Sequence, residues 1–212
     1  MAAAGLAVLS PLLALLALAV WLETGRPVLF RHRRVGQGGR TFELLKFRSM
    51  VVNHGGPSIT RSGEARITRV GRFLRRWKLD ELPQLVNVLR GEMSLVGPRP
   101  EVPEYVDPGD PLWQRVLRAR PGITDPASVE FRNEEELLAG VEDLDGYYRK
   151  VLLPRKLELS AAYLERRNFS SDVAMLFRTV AASWLPRAAG REAHERRRIH
   201  SIPPPMDRPG RD

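Results

Sequence analysis

Lys78-Leu79-Asp80-Glu81-Leu82-Pro83-Gln84-Leu85, followed by Gly97-Pro98-Arg99-Pro100-Glu101, sets two adjacent carboxylates between arginine-rich segments. Consecutive residues inside a helix do not face each other, so Asp80 and Glu81 converge on one centre only where the backbone is turning. A helix start is such a place, and its free N–H groups and positive dipole end also favour a bound phosphate. The spacing predicts a helix from Asp80 to Arg90. Leu82, Leu85, Val86 and Leu89 make its apolar face, Pro83 falls in the tolerated first turn, and Gly91 terminates it. Two such carboxylates suit magnesium, a hard ion that takes one or two carboxylates together with substrate phosphates. The plain alternative makes Asp80 an N-cap and Glu81 an ordinary first-turn acid.

Upstream, Val70, Phe73, Leu74 and Trp77 repeat at helical spacing between Thr68 and Lys78, with Arg69, Arg72, Arg75, Arg76 and Lys78 among them. This basic amphipathic helix suits a membrane surface, and equally an ordinary helix with one buried stripe. Further upstream, Met1 to Leu22 has no charged side chain. At about 1.5 Å per residue it is just long enough to cross a bilayer core. Ala17-Leu18-Ala19 resembles a signal-peptide cleavage site, but no basic residue precedes the apolar run. A straight transmembrane helix and a re-entrant helix broken at Ser10-Pro11 both remain. Proline removes a backbone hydrogen bond there, and Ser10 can satisfy the freed carbonyl. Seven basic residues and one acid lie between Arg26 and Arg48. Such a flank stays cytoplasmic, which assigns the body to that face.

The chain of 212 residues reads as three parts: a membrane helix over 1–24, a cytoplasmic domain over 25–185, and an Arg- and Pro-rich tail over 186–212 expected to be disordered. Its net charge of +9 calls for an anionic partner, and the absence of cysteine excludes disulfides, thiolate zinc sites and a thiol nucleophile. Val28–Phe30 and Phe42–Leu45 flank a Gly-rich turn and predict a β-hairpin. Asn53–Gly63 reads as a mobile loop. An acidic helix is expected near Glu134–Glu142, with further helices over Tyr147–Arg166 and Ser171–Trp184, the last capped at Ser171-Asp172. The fold class is α+β, mostly helical, with one small hairpin.

The string from Leu79 through Leu85 and from Asn87 to Glu101 resembles the bacterial sugar transferase family, the small monotopic phosphoglycosyl transferases. The resemblance extends to Ser10-Pro11, Gly25–Phe30, Arg34-Val35-Gly36, Lys46-Phe47-Arg48-Ser49-Met50, Thr68–Arg75, Arg120-Pro121-Gly122-Ile123-Thr124, Asp172 and Thr179. It implies transfer of a sugar-1-phosphate from a UDP-sugar to polyprenol phosphate at the cytoplasmic membrane face, releasing UMP. It further implies Asp80 as nucleophile, Glu81 associated with Mg2+, and a re-entrant N-terminal helix broken at Ser10-Pro11. Lys46, Arg48, Arg75, Arg99 and Arg120 are the candidates to neutralise phosphate charge. Pro98 and Pro100 fix the backbone beside Arg99, and Asp172 is a candidate support for the site. Family members read Gly-Trp-Ala-Gln-Val after the Ile-Thr pair, where this chain has Asp125-Pro126-Ala127-Ser128-Val129. Asp125 is therefore expected to alter nucleotide or sugar contacts.

Two other functions fit parts of the sequence. One is a non-catalytic, membrane-tethered basic protein that binds nucleic acid or anionic lipid, although no nucleic-acid-binding motif is present and no nucleic-acid partner is expected. The other is a glycosyl transferase that releases UDP. The sequence names neither the sugar nor the oligomeric state.

Overall fold

The computed structural model describes residues 2–51, 66–138 and 141–184. The expected loop at Asn53–Gly63 and the tail from Pro186 lie outside them. Helix α1 (Ala2–Thr24) is one helical element with Pro11 inside it, rather than two helices separated at Ser10-Pro11. Pro11 lacks the N–H that the Ala7 carbonyl would accept, and the Ser10 hydroxyl donates to that carbonyl at 2.8 Å. The helix is long and apolar enough to cross a membrane. Its C-terminal half nevertheless packs on the body, where Leu16 and Val20 join Phe47 and Leu74 in a buried cluster.

Strands β1 (Leu29–Val35) and β2 (Thr41–Phe47) form the expected antiparallel hairpin, with Leu29 opposite Phe47 and Val35 opposite Thr41. Both strands run past their apolar cores because the pairing continues to the Gly38-Gly39 turn, where positive φ is required. Helix α2 (Arg69–Arg76) is capped twice. The Thr68 hydroxyl accepts from Gly71 N–H, and the Glu23 carboxylate at the end of α1 accepts from Arg69 and Val70 N–H at 2.8 and 3.0 Å.

The helix expected over Asp80–Arg90 is shorter and later. Leu79–Glu81 is a single 3-10 turn, and α3 (Gln84–Leu89) begins only after Pro83. Gly91 closes it with φ 75°, as its position predicted. A short parallel pair, β3 (Ser94–Val96) with β4 (Gly122–Thr124), was not foreseen. It depends on close backbone approach, since a Cβ on Gly122 would lie 2.1 Å from Gly97 N.

The second half is helical: α4 (Pro111–Val116), α5 (Pro126–Glu130), α6 (Glu134–Leu137), α7 (Leu144–Tyr147), a π-helical turn over Tyr148–Leu152, α8 (Leu153–Arg166) and α9 (Phe169–Trp184). The larger core lies here, with Trp113, Phe131, Leu138, Leu152 and Leu157 at its centre. The expected acidic helix is reduced to the single turn of α6. The cap of α9 is also corrected. Asn168 and Ser171 exchange hydrogen bonds across its first turn, whereas Asp172 binds Tyr163 and Arg167 instead.

Candidate active site

Lys78 occupies the left-handed region at φ 56°, rare for a residue with a side chain. That reversal, at the end of α2, turns the following 3-10 residues inward. Asp80 and Glu81 are both buried, at 6% and 8% exposure. Arg99 grips Glu81 with two hydrogen bonds, Nη2 to Oε1 at 2.6 Å and Nη1 to Oε2 at 3.2 Å. Buried Pro98 and Pro100 frame this arginine. Burial alone would raise the Glu81 pKa, but the charges of Arg99 and Lys46 outweigh it and hold the carboxyl far below its ordinary range. Asp80 shifts the other way. Burial and then the neighbouring Glu81 charge raise its pKa, against Lys46, Lys78 and Arg75. Its Oδ1 is buried and has no hydrogen-bond partner. Lys46, on β2, is lowered to about 8 by burial, against the pull of Glu81 and Asp80.

A cavity of about 650 Å³ opens beside this pair, lined by Lys78, Leu79, Glu81 and Leu82 on that side. Asp80, between them in sequence, is not itself part of the lining. The polar walls carry Arg34, Arg75, Lys78, Arg99, Arg132 and Lys156, and four of these meet a carboxylate. Besides Arg99 with Glu81, Arg34 meets Glu101 at 3.4 Å, Lys156 meets Glu134 at 2.6 Å, and Arg75 pairs with Glu135. Tyr148, on the π-helical turn, donates to Glu101 at 2.6 Å and lies under the Lys156 ammonium. Such turns recur at functional sites. The remaining wall is apolar, from Leu82, Leu85 and Leu95 to Leu9 of α1 and Leu176 and Val180 of α9.

The fold thus gathers Asp80, Glu81, Lys46, Arg75 and Arg99. It does not bring Arg48, Arg120 or Asp172 to the cavity. Arg48 Nη2 donates to Thr24 O, Thr24 Oγ1 and Gly25 O, so it closes the C-terminus of α1. Arg120 is exposed beside β4, and Asp172 ties the start of α9 to α8. Ser10 and Pro11 act within α1. Asp125 lies in the cavity lining with its carboxylate bonded to protein. It is fully buried and accepts from Ser128 N, Ser128 Oγ and Ser160 Oγ, capping α5 and fastening it to α8. The sequence reading missed Tyr148 and Lys156. Their eight-residue separation marks one helix face, but nothing local indicates that this face meets Glu101.

The donor set fits magnesium. Asp80 Oδ1 is a buried hard oxygen without a partner, adjacent in sequence to a second carboxylate. No group of three or more metal-ligating side chains occurs among the described residues.

The sequence model of the bacterial sugar transferase family matches residues 1–185. A UDP-glucose:undecaprenyl-phosphate glucose-1-phosphate transferase of Caulobacter vibrioides is 40% identical over 179 residues, covering 82% of this chain and 63% of that protein. A protein of the same name from Escherichia coli is 35% identical over 190 residues, covering 87% of this chain and 38% of its own length. The exopolysaccharide production protein ExoY of Sinorhizobium fredii is 33% identical, with 85% of this chain and 80% of that protein aligned. The chain therefore spans less than two thirds of the first two relatives and most of the third. With Glu81, Arg75 and Arg99 of the motifs lining one cavity and the family match extending over residues 1–185, the chain belongs to the bacterial sugar transferase family.

Proposed function

We propose that this chain transfers a sugar-1-phosphate from a UDP-sugar to polyprenol phosphate, in two displacements through Asp80. In the first, an Asp80 carboxylate oxygen attacks the sugar-bearing phosphorus and the bond to the bridging oxygen breaks, releasing UMP. In the second, a phosphate oxygen of the polyprenol phosphate attacks the same phosphorus. The bond to Asp80 breaks and the carboxylate is regenerated. The acceptor is already anionic, so charge repulsion rather than proton removal is the obstacle, and a carboxylate nucleophile divides the reaction into two approaches. Asp80 and Glu81 would hold Mg2+, which when bound neutralises charge on the transferring phosphoryl group. Arg99 keeps Glu81 ionised and fixed, while Lys46 and Lys78 favour the anionic form of Asp80.

The observation that carries this reading is the continuity of the cavity. One cavity is lined by Glu81 with Arg34, Arg75, Lys78, Arg99 and Lys156, and also by apolar side chains that include Leu9 of the membrane-type helix α1. A phosphate-bearing lipid has that distribution of chemistry. The Caulobacter and Escherichia relatives are named for the same donor and acceptor classes. Release of UMP from a panel of UDP-sugars with polyprenol phosphate tests the reaction. Asp80→Asn is expected to abolish it, and wild-type protein given donor alone is expected to gain a phospho-sugar mass on Asp80. Release of UDP instead of UMP excludes this chemistry.

The membrane arrangement belongs to the same proposal. Because Leu9 lines the cavity and α1 from Leu12 onward packs on the body, only about eight residues stand clear, roughly 12 Å of helix against a hydrocarbon core of about 30 Å. A re-entrant path bent at Ser10-Pro11 and a body on the cytoplasmic face account for that geometry.

A further inference from the structure

Glu134 and Glu135 are consecutive residues of α6, yet their carboxylates reach cations on two different elements, Lys156 on α8 and Arg75 on α2. All four side chains line the same cavity. The other two cavity ion pairs are of a different kind. Glu81 and Glu101 are 8% and 7% exposed. Glu81 is clasped twice by Arg99, and Glu101 is fixed by Tyr148 and by its own carbonyl, which accepts from Val35 N–H at 2.9 Å. The α6 carboxylates are freer, with side chains 26% and 35% exposed. Leu137 and Leu138 hold α6 itself in the core, so the acids can leave by side-chain rotation while the backbone stays.

With Arg75 and Lys156 both matched, neither offers a free positive charge to a diphosphate entering the cavity. Turning Glu134 and Glu135 out to solvent exposes two positive groups, equal to the two negative charges on the diphosphate of a nucleotide sugar. We propose that Arg75 and Lys156 form the wall that receives the donor diphosphate, and that Glu134 and Glu135 occupy this wall as internal stand-ins until the donor displaces them. This rests on the donor being a UDP-sugar. It adds Lys156 to the substrate contacts and gives the Glu-rich turn of α6 a task.

The test is UDP binding with magnesium, measured by calorimetry on the full chain in nanodiscs. Relieving a competing charge-assisted contact predicts that Glu134→Gln/Glu135→Gln binds UDP about fivefold to tenfold more tightly than wild type. Lys156→Gln is expected to bind about tenfold more weakly, and adding Glu134→Gln to it to restore nothing, because the competitor then has no cation to hold. Unchanged or weaker UDP binding in the double glutamine variant overturns the proposal. So does weaker binding of the UDP-sugar with UDP affinity unchanged, which would make the acids sugar contacts. The single Glu135→Gln variant, whose target is the more exposed, serves if the double variant does not fold. Wild-type UMP release in the same preparation separates the two levels. If it is absent the donor reading fails, and if it is present without the tightening only the stand-in role fails.

Discussion

At Asp80 the fold holds a buried carboxyl whose Oδ1 has no partner, while Glu81 next to it is fully paired with Arg99. Such a group opposes folding when ionised, so its retention points to use rather than stability. Its pKa is raised in the folded state, chiefly by burial. The folded protein therefore binds more protons than the unfolded chain between the unfolded carboxyl pKa and the higher folded one, and its stability falls as pH rises through that window. Asp80→Asn removes the charge. In EDTA at pH 7 it is expected to be about 1–2 kcal/mol more stable than wild type, with Tm higher by about 2–4 °C per kcal/mol. The difference should close toward pH 4. Thermal melts across pH check this, and a destabilised Asp80→Asn would mean that the carboxylate has a structural partner. The acid pair, Arg99 and Lys46 were legible because a two-carboxylate turn and a proline-framed arginine are local signals. Tyr148 and Lys156 were not, because their function depends on α8 meeting a loop about fifty residues earlier. What Asp125 bonds was not legible either, because Ser160, which shares its carboxylate with Ser128, lies 35 residues further on.

Among the elements, the hairpin, α2, α8 and α9 follow their apolar periodicity, and the misreadings have local causes. Pro83 and the left-handed Lys78 divide one expected helix into a 3-10 turn and α3. The β3–β4 pair has three residues per strand, too short for alternation to show. The junction of α1 with the body was hidden for another reason, since it is made by a residue whose motif pointed to phosphate. Arg48 donates three hydrogen bonds to the end of α1, and Glu23 answers by capping α2. Arg48 is only 5% exposed, so its removal leaves carbonyls that water cannot readily reach. Arg48→Ala is expected to cost roughly 2–3 kcal/mol, seen as a lower melting temperature and faster proteolysis near Gly25, with donor KM changed less than about twofold. A raised KM at unchanged melting temperature would return Arg48 to the phosphate site.

For the molecule as a whole, the question is how a 23-residue apolar helix coexists with a body on which its C-terminal half packs. Composition alone left crossing and re-entry open, because both need an uncharged run of this length. Packing supports the re-entrant path proposed above. If α1 crossed the bilayer straight, Leu16 and Val20 would face lipid or the body would sink to the midplane, yet both are buried against Phe47 and Leu74. Large apolar side chains stay exposed on several elements, including Trp21 and Leu22 of α1, Phe73 of α2 and Phe177 and Val180 of α9. In water that surface would favour aggregation, whereas at a membrane it supplies the binding energy of a protein seated on one leaflet. The chain contains no cysteine, so single cysteines can be placed without background. Ala3→Cys and Arg26→Cys lie near the two ends of α1, and both positions should react with an impermeant maleimide in inside-out vesicles while neither reacts in intact spheroplasts. Labelling of Ala3→Cys from outside, with Arg26→Cys reactive only from inside, would show that α1 crosses the membrane. The apolar wall of the cavity would then need a different explanation from a lipid acceptor entering along α1.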